Sequence, residues 1–260
     1  INVLNPILKV AVANQGVIAV LMDGVGANYI KLYSLEGKEL IDIMTTASED
    51  GIPVDMTLSE DGRKLVTSYV SIQKGKMQNK VTFYNFGEVG QNYGWRMVGF
   101  FDYGESLVPN IEFIDNDTVC VFAEDKFSIY AMEQVPKLTC EVTLPLEITG
   151  IFYNENNIGF SSKNKEGDAP SRILVYDVNG KVQLDKDLTL EHANIEMSGD
   201  ELIIHNGEEW KIWRLNGGVK FDCAFDGNVS YILPINNLDR YIVIDEKNIS
   251  EVTLIEKQKE

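Results

Sequence analysis

Basic residues are scarce in this 260-residue chain, where 23 lysines and arginines stand against 40 aspartates and glutamates. The formal net charge is −17 at pH 7. A surface with this excess of carboxylates repels the phosphate backbone of nucleic acids, and it lacks the basic clusters that hold proteins to anionic membranes. The charge therefore argues against nucleic acid and against a polybasic membrane contact, although an acidic surface also simply keeps a protein soluble.

Cysteine is scarce as well, with three residues and no Cys-x-x-Cys pair. Zinc sites and thioredoxin-type redox sites are built from such pairs, and calcium loops of the EF-hand type have an acidic spacing that this chain does not contain. We therefore predict no metal and no cofactor. Cys120 and Cys223 lie among apolar residues, which favours a packing role for both thiols.

Long apolar runs are missing too. No stretch reaches the roughly 18–20 apolar residues of a membrane span, and no signal peptide is present. The chain begins at Ile1 and not at methionine, which we interpret as a fragment or a processed form. A targeting segment ahead of Ile1 is compatible with that interpretation.

A short phrase recurs along the chain: an apolar residue, an aromatic residue, any residue, and an apolar residue. A weaker sixth copy, Val252-Thr253-Leu254-Ile255, lacks the aromatic residue. The copies return roughly every 45 residues, the period of four-stranded propeller blades. The five clear copies are Leu32-Tyr33-Ser34-Leu35, Phe83-Tyr84-Asn85-Phe86, Ile129-Tyr130-Ala131-Met132, Val175-Tyr176-Asp177-Val178 and Ile212-Trp213-Arg214-Leu215.

Each copy is surrounded by further β-rich runs and by tight turns rich in Asn, Asp and Gly, which are typical of antiparallel hairpins. The sequence thus predicts an all-β chain, a single β-propeller domain over residues 1–260. The sixth unit lacks an outer strand, which residues 1–4 could supply; alternatively, further blades precede Ile1 and the intact protein holds seven or eight. The predicted blades cover residues 7–46, 52–102, 108–144, 148–188, 193–225 and 229–257.

Specific residues carry a resemblance to known sequences. Leu58-Ser59-Glu60-Asp61-Gly62-Arg63-Lys64-Leu65 resembles the L-S-x-D-G-x-x-L hairpin of WD-repeat-like bacterial propellers. The longer stretch 51–108, with Ile52-Pro53-Val54-Asp55 and Asp102-Tyr103-Gly104-Glu105, resembles an uncharacterised bacterial propeller family over essentially the whole chain. Members of that family typically carry an N-terminal transmembrane helix. The resemblance therefore implies a membrane-anchored protein with its propeller outside the cytoplasm, and it implies no activity and no functional residues.

One face of the predicted propeller carries the longer connections, and such loops are where binding residues tend to lie on a rigid scaffold. The expected loops are residues 22–28, 47–51, 71–80, 102–109 and 161–171. Two of them are basic islands on an acidic protein, which suggests an anionic partner such as a wall polymer or an acidic protein surface. Solvated loop charges are the simpler interpretation. The candidate binding residues there are Lys74, Lys76, Lys80, Lys163, Lys165 and Arg172.

The two histidines, His192 and His205, map near the same face. A histidine beside a glutamate is suited to acid–base work or to contact with a partner. However, no nucleophile motif and no metal-spaced third ligand accompanies them, so we interpret both as surface or turn residues and assign no catalytic residue.

Aromatic residues are dense at Tyr93, Trp95, Phe100, Phe101 and Tyr103. Core packing is the expected role, with stacking on a sugar ring as the alternative. Trp210 and Trp213 lie three apart on one strand and should point to opposite faces.

These observations favour a non-catalytic scaffold that binds a protein or polymer at the bacterial cell envelope. A carbohydrate-active lyase or hydrolase with a site at the propeller axis is the alternative, and a purely structural spacer is a third possibility.

Overall fold

The computed structural model describes residues 4–144, 147–163, 169–191, 193–224, 229–235 and 239–254. The chain divides into two compact units, Ile1–Pro145 and Leu146–Glu260, and each is described by itself. Both consist of antiparallel sheets in which consecutive strands are neighbours. Within the described residues, no helix has the length and hydrophobicity needed to cross a bilayer.

The first unit contains three four-stranded sheets, each a simple up-and-down meander. Two short 3₁₀ turns, Val89–Asn92 and Gly94–Arg96, separate β7 from β8. The strands of the first sheet are β1 (Ile7–Val12), β2 (Ile18–Gly24), β3 (Ala27–Tyr33) and β4 (Glu39–Thr45); those of the second are β5 (Ile52–Leu58), β6 (Lys64–Gln73), β7 (Lys76–Asn85) and β8 (Met97–Gly104); those of the third are β9 (Asn110–Phe113), β10 (Thr118–Phe122), β11 (Lys126–Ala131) and β12 (Lys137–Thr143).

The second unit contains two four-stranded sheets and one sheet with three described strands. The strands of the fourth sheet are β13 (Ile148–Tyr153), β14 (Asn157–Lys163), β15 (Ser171–Asp177) and β16 (Val182–Leu188); those of the fifth are β17 (Asn194–Ser198), β18 (Glu201–His205), β19 (Glu209–Arg214) and β20 (Val219–Ala224); those of the sixth are β21 (Val229–Ile235), β22 (Arg240–Asp245) and β23 (Ile249–Thr253). The sixth sheet has no described fourth strand. Of residues 1–4, which could supply one, residues 1–3 lie outside the described residues.

The turn of the L-S-x-D-G-x-x-L hairpin shows why this sequence folds locally as it does. Gly62 adopts φ +69°, a left-handed conformation that glycine enters without strain. The Asp61 carboxylate accepts hydrogen bonds from the Ser59 hydroxyl at 2.7 Å and from the Arg63 backbone N–H at 3.0 Å. These local bonds satisfy turn groups that have no strand partner, and they fix the register of β5 against β6.

The aromatic residue of each clear repeat copy is buried, as the core prediction requires. The five are at most 7% exposed: Tyr33, Tyr84, Tyr130, Tyr176 and Trp213. In the first unit Tyr84 packs between the first and second sheets, and Tyr130 packs between the second and third. Each buried side chain of this size contributes about 2 kcal/mol of hydrophobic stabilisation, so the repeat marks where neighbouring sheets pack on each other.

In the second unit the two tryptophans face opposite ways, which confirms the prediction. Trp213 packs between the fourth and fifth sheets with Val175 and Leu202, whereas Trp210 packs between the fifth and sixth with Ile232 and Tyr241. Successive strand residues alternate in direction, so a spacing of three places the indoles on opposite faces.

The turns between the first and second strands of neighbouring sheets are joined by hydrogen bonds. In the first unit the Asn14 N–H donates to the Glu60 carbonyl at 2.8 Å, and the Asp61 N–H donates to the Asn116 side-chain oxygen at 2.8 Å. In the second unit the Asn154 side-chain amide donates to the Gly199 carbonyl at 2.8 Å. These bonds hold the first sheet to the second and the second to the third in the first unit, and the fourth to the fifth in the second unit, at one end of the strands.

Three of the five expected long connections are shorter than predicted, whereas residues 47–51 form a turn and residues 164–168 of the loop 161–171 lie outside the described residues. Residues 22–28 are mostly strand, with a two-residue turn at Val25 and Gly26. Residues 71–80 form the end of a β-hairpin of two ten-residue strands, whose turn is Lys74 and Gly75, and residues 102–104 belong to β8. The loop predictions were wrong there because polar residues in a hairpin pair through their backbones without showing apolar alternation.

Candidate functional site

A cleft of about 720 Å³ opens between the fourth and fifth sheets in the second unit. The first strands of both sheets line it, together with the facing ends of β14 and β15. Its walls combine apolar residues, among them Ile151, Leu188 and Ile195, with polar side chains. Concave sites of this size with a few converging polar groups are the usual form of a ligand-binding site.

Two hydroxyl groups and a glycine form part of the wall of this cleft. The Thr149 and Ser161 hydroxyls lie 3.1 Å apart. A Cβ atom at Gly150 would lie 2.7 Å from the Ser161 oxygen, so the absence of a side chain at residue 150 leaves room for that hydroxyl. The pair can donate to and accept from a ligand without carrying charge.

Among the described residues, the lining of the cleft carries one cation, Lys163 at the end of β14, and one acidic residue, Glu191. The Lys163 ammonium donates to the Glu147 carboxylate at 2.8 Å, and both side chains are about half exposed or more. The hydrogen bond to Glu147 raises the pKa of Lys163. An exposed pair of this kind is held weakly, so Lys163 can exchange Glu147 for an anionic group of a ligand.

The other predicted cations of this loop region differ in availability. Arg172 binds Asp185 with two hydrogen bonds, Nε to Oδ1 at 2.7 Å and Nη2 to Oδ2 at 2.6 Å, and the bond to Asp185 raises the pKa of Arg172. Because two nitrogens of the guanidinium already bind Asp185, Arg172 is less available to a ligand than Lys163. Lys165 and His192 lie outside the described residues.

The remaining predicted lysines belong to the β6–β7 hairpin of the first unit. Lys74 occupies the turn with φ 52°. Lys76 donates to Glu105 at 2.6 Å, and Lys80 lies 5.5 Å from the centre of the Tyr69 ring and 3.8 Å from Asp50. The hairpin end is thus basic, but two of its three lysines already face carboxylates.

His205 is 2% exposed at the end of β18, so its interpretation as a surface or turn residue was wrong. Its Nδ1 atom is buried and has no hydrogen-bond partner among the described residues. Burial lowers the pKa of His205, and the nearby Glu196 carboxylate acts in the opposite direction. The sequence could not show this burial, because a single histidine in an apolar strand is compatible with an exposed strand end and with a buried position.

The dense aromatic segment divides between core and surface. Tyr103 is buried and Phe101 packs against the core between the second and third sheets, as predicted. Tyr93, Trp95 and Phe100 are 42%, 66% and 53% exposed, so the core prediction was wrong for these three.

Sequence reasoning found Lys163 but missed the rest of the cleft lining. Thr149, Gly150, Ala193 and Asn194 come from two strands far apart in the chain and form no motif. The described part of the chain brings together no group of three His, Cys, Asp or Glu residues suited to a metal ion.

Comparison with known sequences gives one family match. The model of a family described as a family of unknown function (DUF5711) matches residues 1–254. No curated protein matches the chain.

Solved structures with the same architecture share little sequence. The chain is similar to Hsv2 from Kluyvelomyces marxianus, with 10% identity, a TM-score of 0.57, and 98% of this chain and 75% of that one covered. It is also similar to the WD40 domain of SCAP from fission yeast, with 14% identity, a TM-score of 0.59, and coverage of 94% and 63%.

A third similar structure is the β-propeller domain of the trilobed protease from Pyrococcus furiosus, which has an open velcro topology. Identity is 12%, the TM-score is 0.50, and coverage is 95% of this chain and 75% of that one. At these identities the likeness concerns the fold alone. It confirms the predicted all-β propeller class with six recognisable blade units, and it gives no support to the carbohydrate-active alternative.

Proposed function

This chain belongs to DUF5711, a family of unknown function, and on that premise we propose that it is a non-catalytic scaffold that binds an anionic protein or polymer at the bacterial cell envelope. The observation that carries the proposal is the cleft between the fourth and fifth sheets, with Lys163 as the cation on its lining.

The chemistry of the cleft suits a partner with both apolar and polar parts. Ile151, Leu188 and Ile195 offer apolar surface, whereas Ser161 and Thr149 offer neutral hydrogen-bonding groups. Binding sites generally gain affinity from apolar contact and orientation from a few polar groups. The described lining fits that division of roles.

The preference for an anion follows from the charge around Lys163. The protein as a whole carries −17, and Lys163 places a loosely paired cation on the wall of the cleft. A carboxylate or phosphate of the partner can replace Glu147 at little cost in free energy, because the Lys163–Glu147 pair is exposed to water and therefore weak. Such a contact weakens as the salt concentration rises.

The envelope location rests on the resemblance to anchored bacterial propellers. In that arrangement the propeller lies outside the cytoplasm, held at the membrane by a helix, and meets wall polymers or other envelope proteins there. The β6–β7 hairpin with Lys74 and Lys76 offers a second basic contact in this proposal.

The experiment is a pull-down of the host envelope fraction with immobilised protein. Lys163→Glu is compared with Lys181→Glu, a reversal of the same charge in the exposed turn between β15 and β16, at the opposite end of the fourth sheet. We expect Lys163→Glu to weaken retention of an envelope component at least tenfold and Lys181→Glu to leave it unchanged, with equal melting temperatures for both variants.

Equal retention by wild type and Lys163→Glu would count against the cleft as the binding site. A parallel pair, Lys74→Glu and Lys38→Glu, tests the hairpin in the same way, since Lys38 lies in the exposed turn between β3 and β4.

A further inference from the structure

The fourth strand of the second sheet, β8, differs from the other fourth strands in its charge. Sheet edges expose unpaired backbone groups, and natural proteins usually protect them with charged side chains. Strands β4, β12, β16 and β20 each carry at least two charged residues, whereas β8 carries one, Asp102. Its first five residues, Met97-Val98-Gly99-Phe100-Phe101, form an uncharged edge.

One face of this strand is covered and the other is open. A Cβ atom at Gly99 would lie 2.6 Å from Pro136 of the third sheet, and Phe101 packs on the ring of Tyr130 at 4.6 Å. In contrast, Met97 is 38% exposed and Phe100 is 53% exposed. The pairing of β7 with β8 has a register shift between Gly99 and Met97, so strict alternation does not hold along β8. A partner can therefore approach β8 along its edge and over the exposed side chains of Met97 and Phe100.

The segment before β8 presents an exposed tryptophan on a strained backbone. Trp95 and Arg96 have φ values of 55° and 60°, in the left-handed region that bulky residues avoid. Such conformations cost of order 1–3 kcal/mol each and persist where the surroundings impose them. Here the strained backbone presents the indole of Trp95, which is 66% exposed.

The segment that leads to Trp95 is held at its start by Asn85, the last residue of β7. Its side-chain oxygen accepts from the Gly87 N–H at 2.9 Å, and its amide donates to the Gln134 carbonyl at 2.9 Å. The Asn85 carbonyl approaches Gly90 so closely that a Cβ atom there would lie 1.6 Å away. The segment between β7 and β8 is thus fixed to its own sheet and to the third sheet before any partner arrives.

We propose that β8 is a docking edge for an extended segment of a partner protein, which adds as a further strand, packs apolar side chains on Trp95 and Phe100, and places a carboxylate at Arg96. Strand addition supplies affinity through backbone hydrogen bonds and specificity through alternate side chains. Trp, Tyr, Met and Arg are the residues that dominate protein interfaces, and all four occur within residues 93–97.

Charge complementarity decides the kind of partner. Arg96 is the one charged residue within 93–101, and it forms no ion pair with a described residue. A second copy of this chain carries the same net charge of −17, and the repulsion between two molecules of like charge opposes self-association. An apolar strand of a different protein, with a carboxylate placed opposite Arg96, therefore fits this edge best.

The test uses a library of random heptapeptides displayed on phage and selected on the wild-type chain. Enriched peptides are synthesised with a fluorophore, and their binding is measured by anisotropy to wild type, Trp95→Asn, Phe100→Ser and Met44→Ser. Met44 is a 50% exposed residue of β4 and serves as the matched control. Asparagine tolerates a left-handed backbone, so Trp95→Asn should melt at the wild-type temperature or above it.

We expect enriched peptides that alternate apolar residues and contain Asp or Glu, at least tenfold weaker binding to Trp95→Asn and Phe100→Ser, and unchanged binding to Met44→Ser. Failure to enrich any peptide, or equal binding to all four proteins, would overturn the proposal. Trp95-dependent binding to immobilised neutral glucans in place of peptides would also overturn it, because the surface would then be a platform for sugar rings. These outcomes are independent of the cleft in the other unit.

Discussion

Tyr241 donates a hydrogen bond of 2.7 Å to Glu201 across the contact between the fifth and sixth sheets. Lys220 donates to the same carboxylate at 2.6 Å and to the Tyr241 hydroxyl at 3.0 Å. Burial raises the pKa of Tyr241 to about 12. Burial lowers the pKa of Lys220, but its hydrogen bonds to Glu201, Tyr241 and Asp239 outweigh that effect and the net shift is upward. Tyr241 therefore stays neutral and Lys220 stays protonated at neutral pH.

Breaking this group from one side should cost more than removing both charges. Glu201→Ala leaves Lys220 with only the exposed carboxylate of Asp239, which lies 3.2 Å away, and we expect a loss of about 2 kcal/mol in the free energy of unfolding. The double variant Glu201→Ala, Lys220→Met should lose less than the sum of the two single variants. Urea unfolding of all four proteins measures this coupling, and simple additivity would show that the three groups do not act together.

The hydrogen bond between the turns of the second and third sheets should contribute measurably to stability. Asn116→Ala removes the side-chain oxygen that accepts from the Asp61 N–H, and we expect it to cost about 1 kcal/mol. Asn92→Ala serves as the control, since Asn92 is exposed and makes only a 3.3 Å bond to the nearby Val89 carbonyl. An equal, small effect of both substitutions in denaturant unfolding would contradict this role.

Stability should fall as the pH drops below about 6.5, the ordinary pKa of histidine. Burial lowers the pKa of His205 in the folded chain, so the unfolded chain binds a proton more readily there. The contribution of neutral His205 is complete above the unfolded pKa and is lost as the pH falls towards the folded one. Glu196, the charged neighbour, reduces the effect without reversing it.

His205→Gln should flatten this pH dependence, and unfolding curves between pH 5 and pH 8 measure it. His192→Gln is the matched control, because His192 is the other histidine of the chain. A pH slope that persists in His205→Gln would show that another group causes it.

The three thiols should differ in reactivity. Cys120 is fully buried, and burial raises the pKa of its thiol well above the ordinary value. Burial also raises the pKa of Cys223, which is only partly buried. We expect Cys120 to react with Ellman's reagent only after unfolding, and the partly buried Cys140 and Cys223 to react earlier. Rapid labelling of Cys120 in the native chain would contradict its burial.

The periodic part of the fold could be predicted from the sequence, because five of the six sheets bury an aromatic residue at the same place in the recurring phrase. Tyr84, Tyr130 and Trp213 are examples, since each is buried between two neighbouring sheets. The end of the β6–β7 hairpin could not be predicted. Its strands carry Gln73, Lys76 and Gln78 where apolar alternation would be needed to recognise them, and backbone pairing alone extends them.

The surface sites escaped prediction for a related reason. Hydrophobicity assigns Trp95 to a core, whereas the left-handed backbone at residues 95 and 96 turns it outward. The charge of Lys163 was visible in the sequence, but Thr149, Ser161 and Asn194, which line the same cleft, are ordinary polar residues on separate strands. Only the pairing and packing of the fourth and fifth sheets bring them to one cleft.

Hydrogen–deuterium exchange of the wild-type chain, with and without the envelope component that it retains, tests the binding role of the cleft most directly. The account predicts slower exchange in residues 149–152 and 193–195, which line the cleft, and no change in the turn that carries Lys181. Unchanged exchange at both cleft segments, with protection elsewhere in the chain, would contradict it.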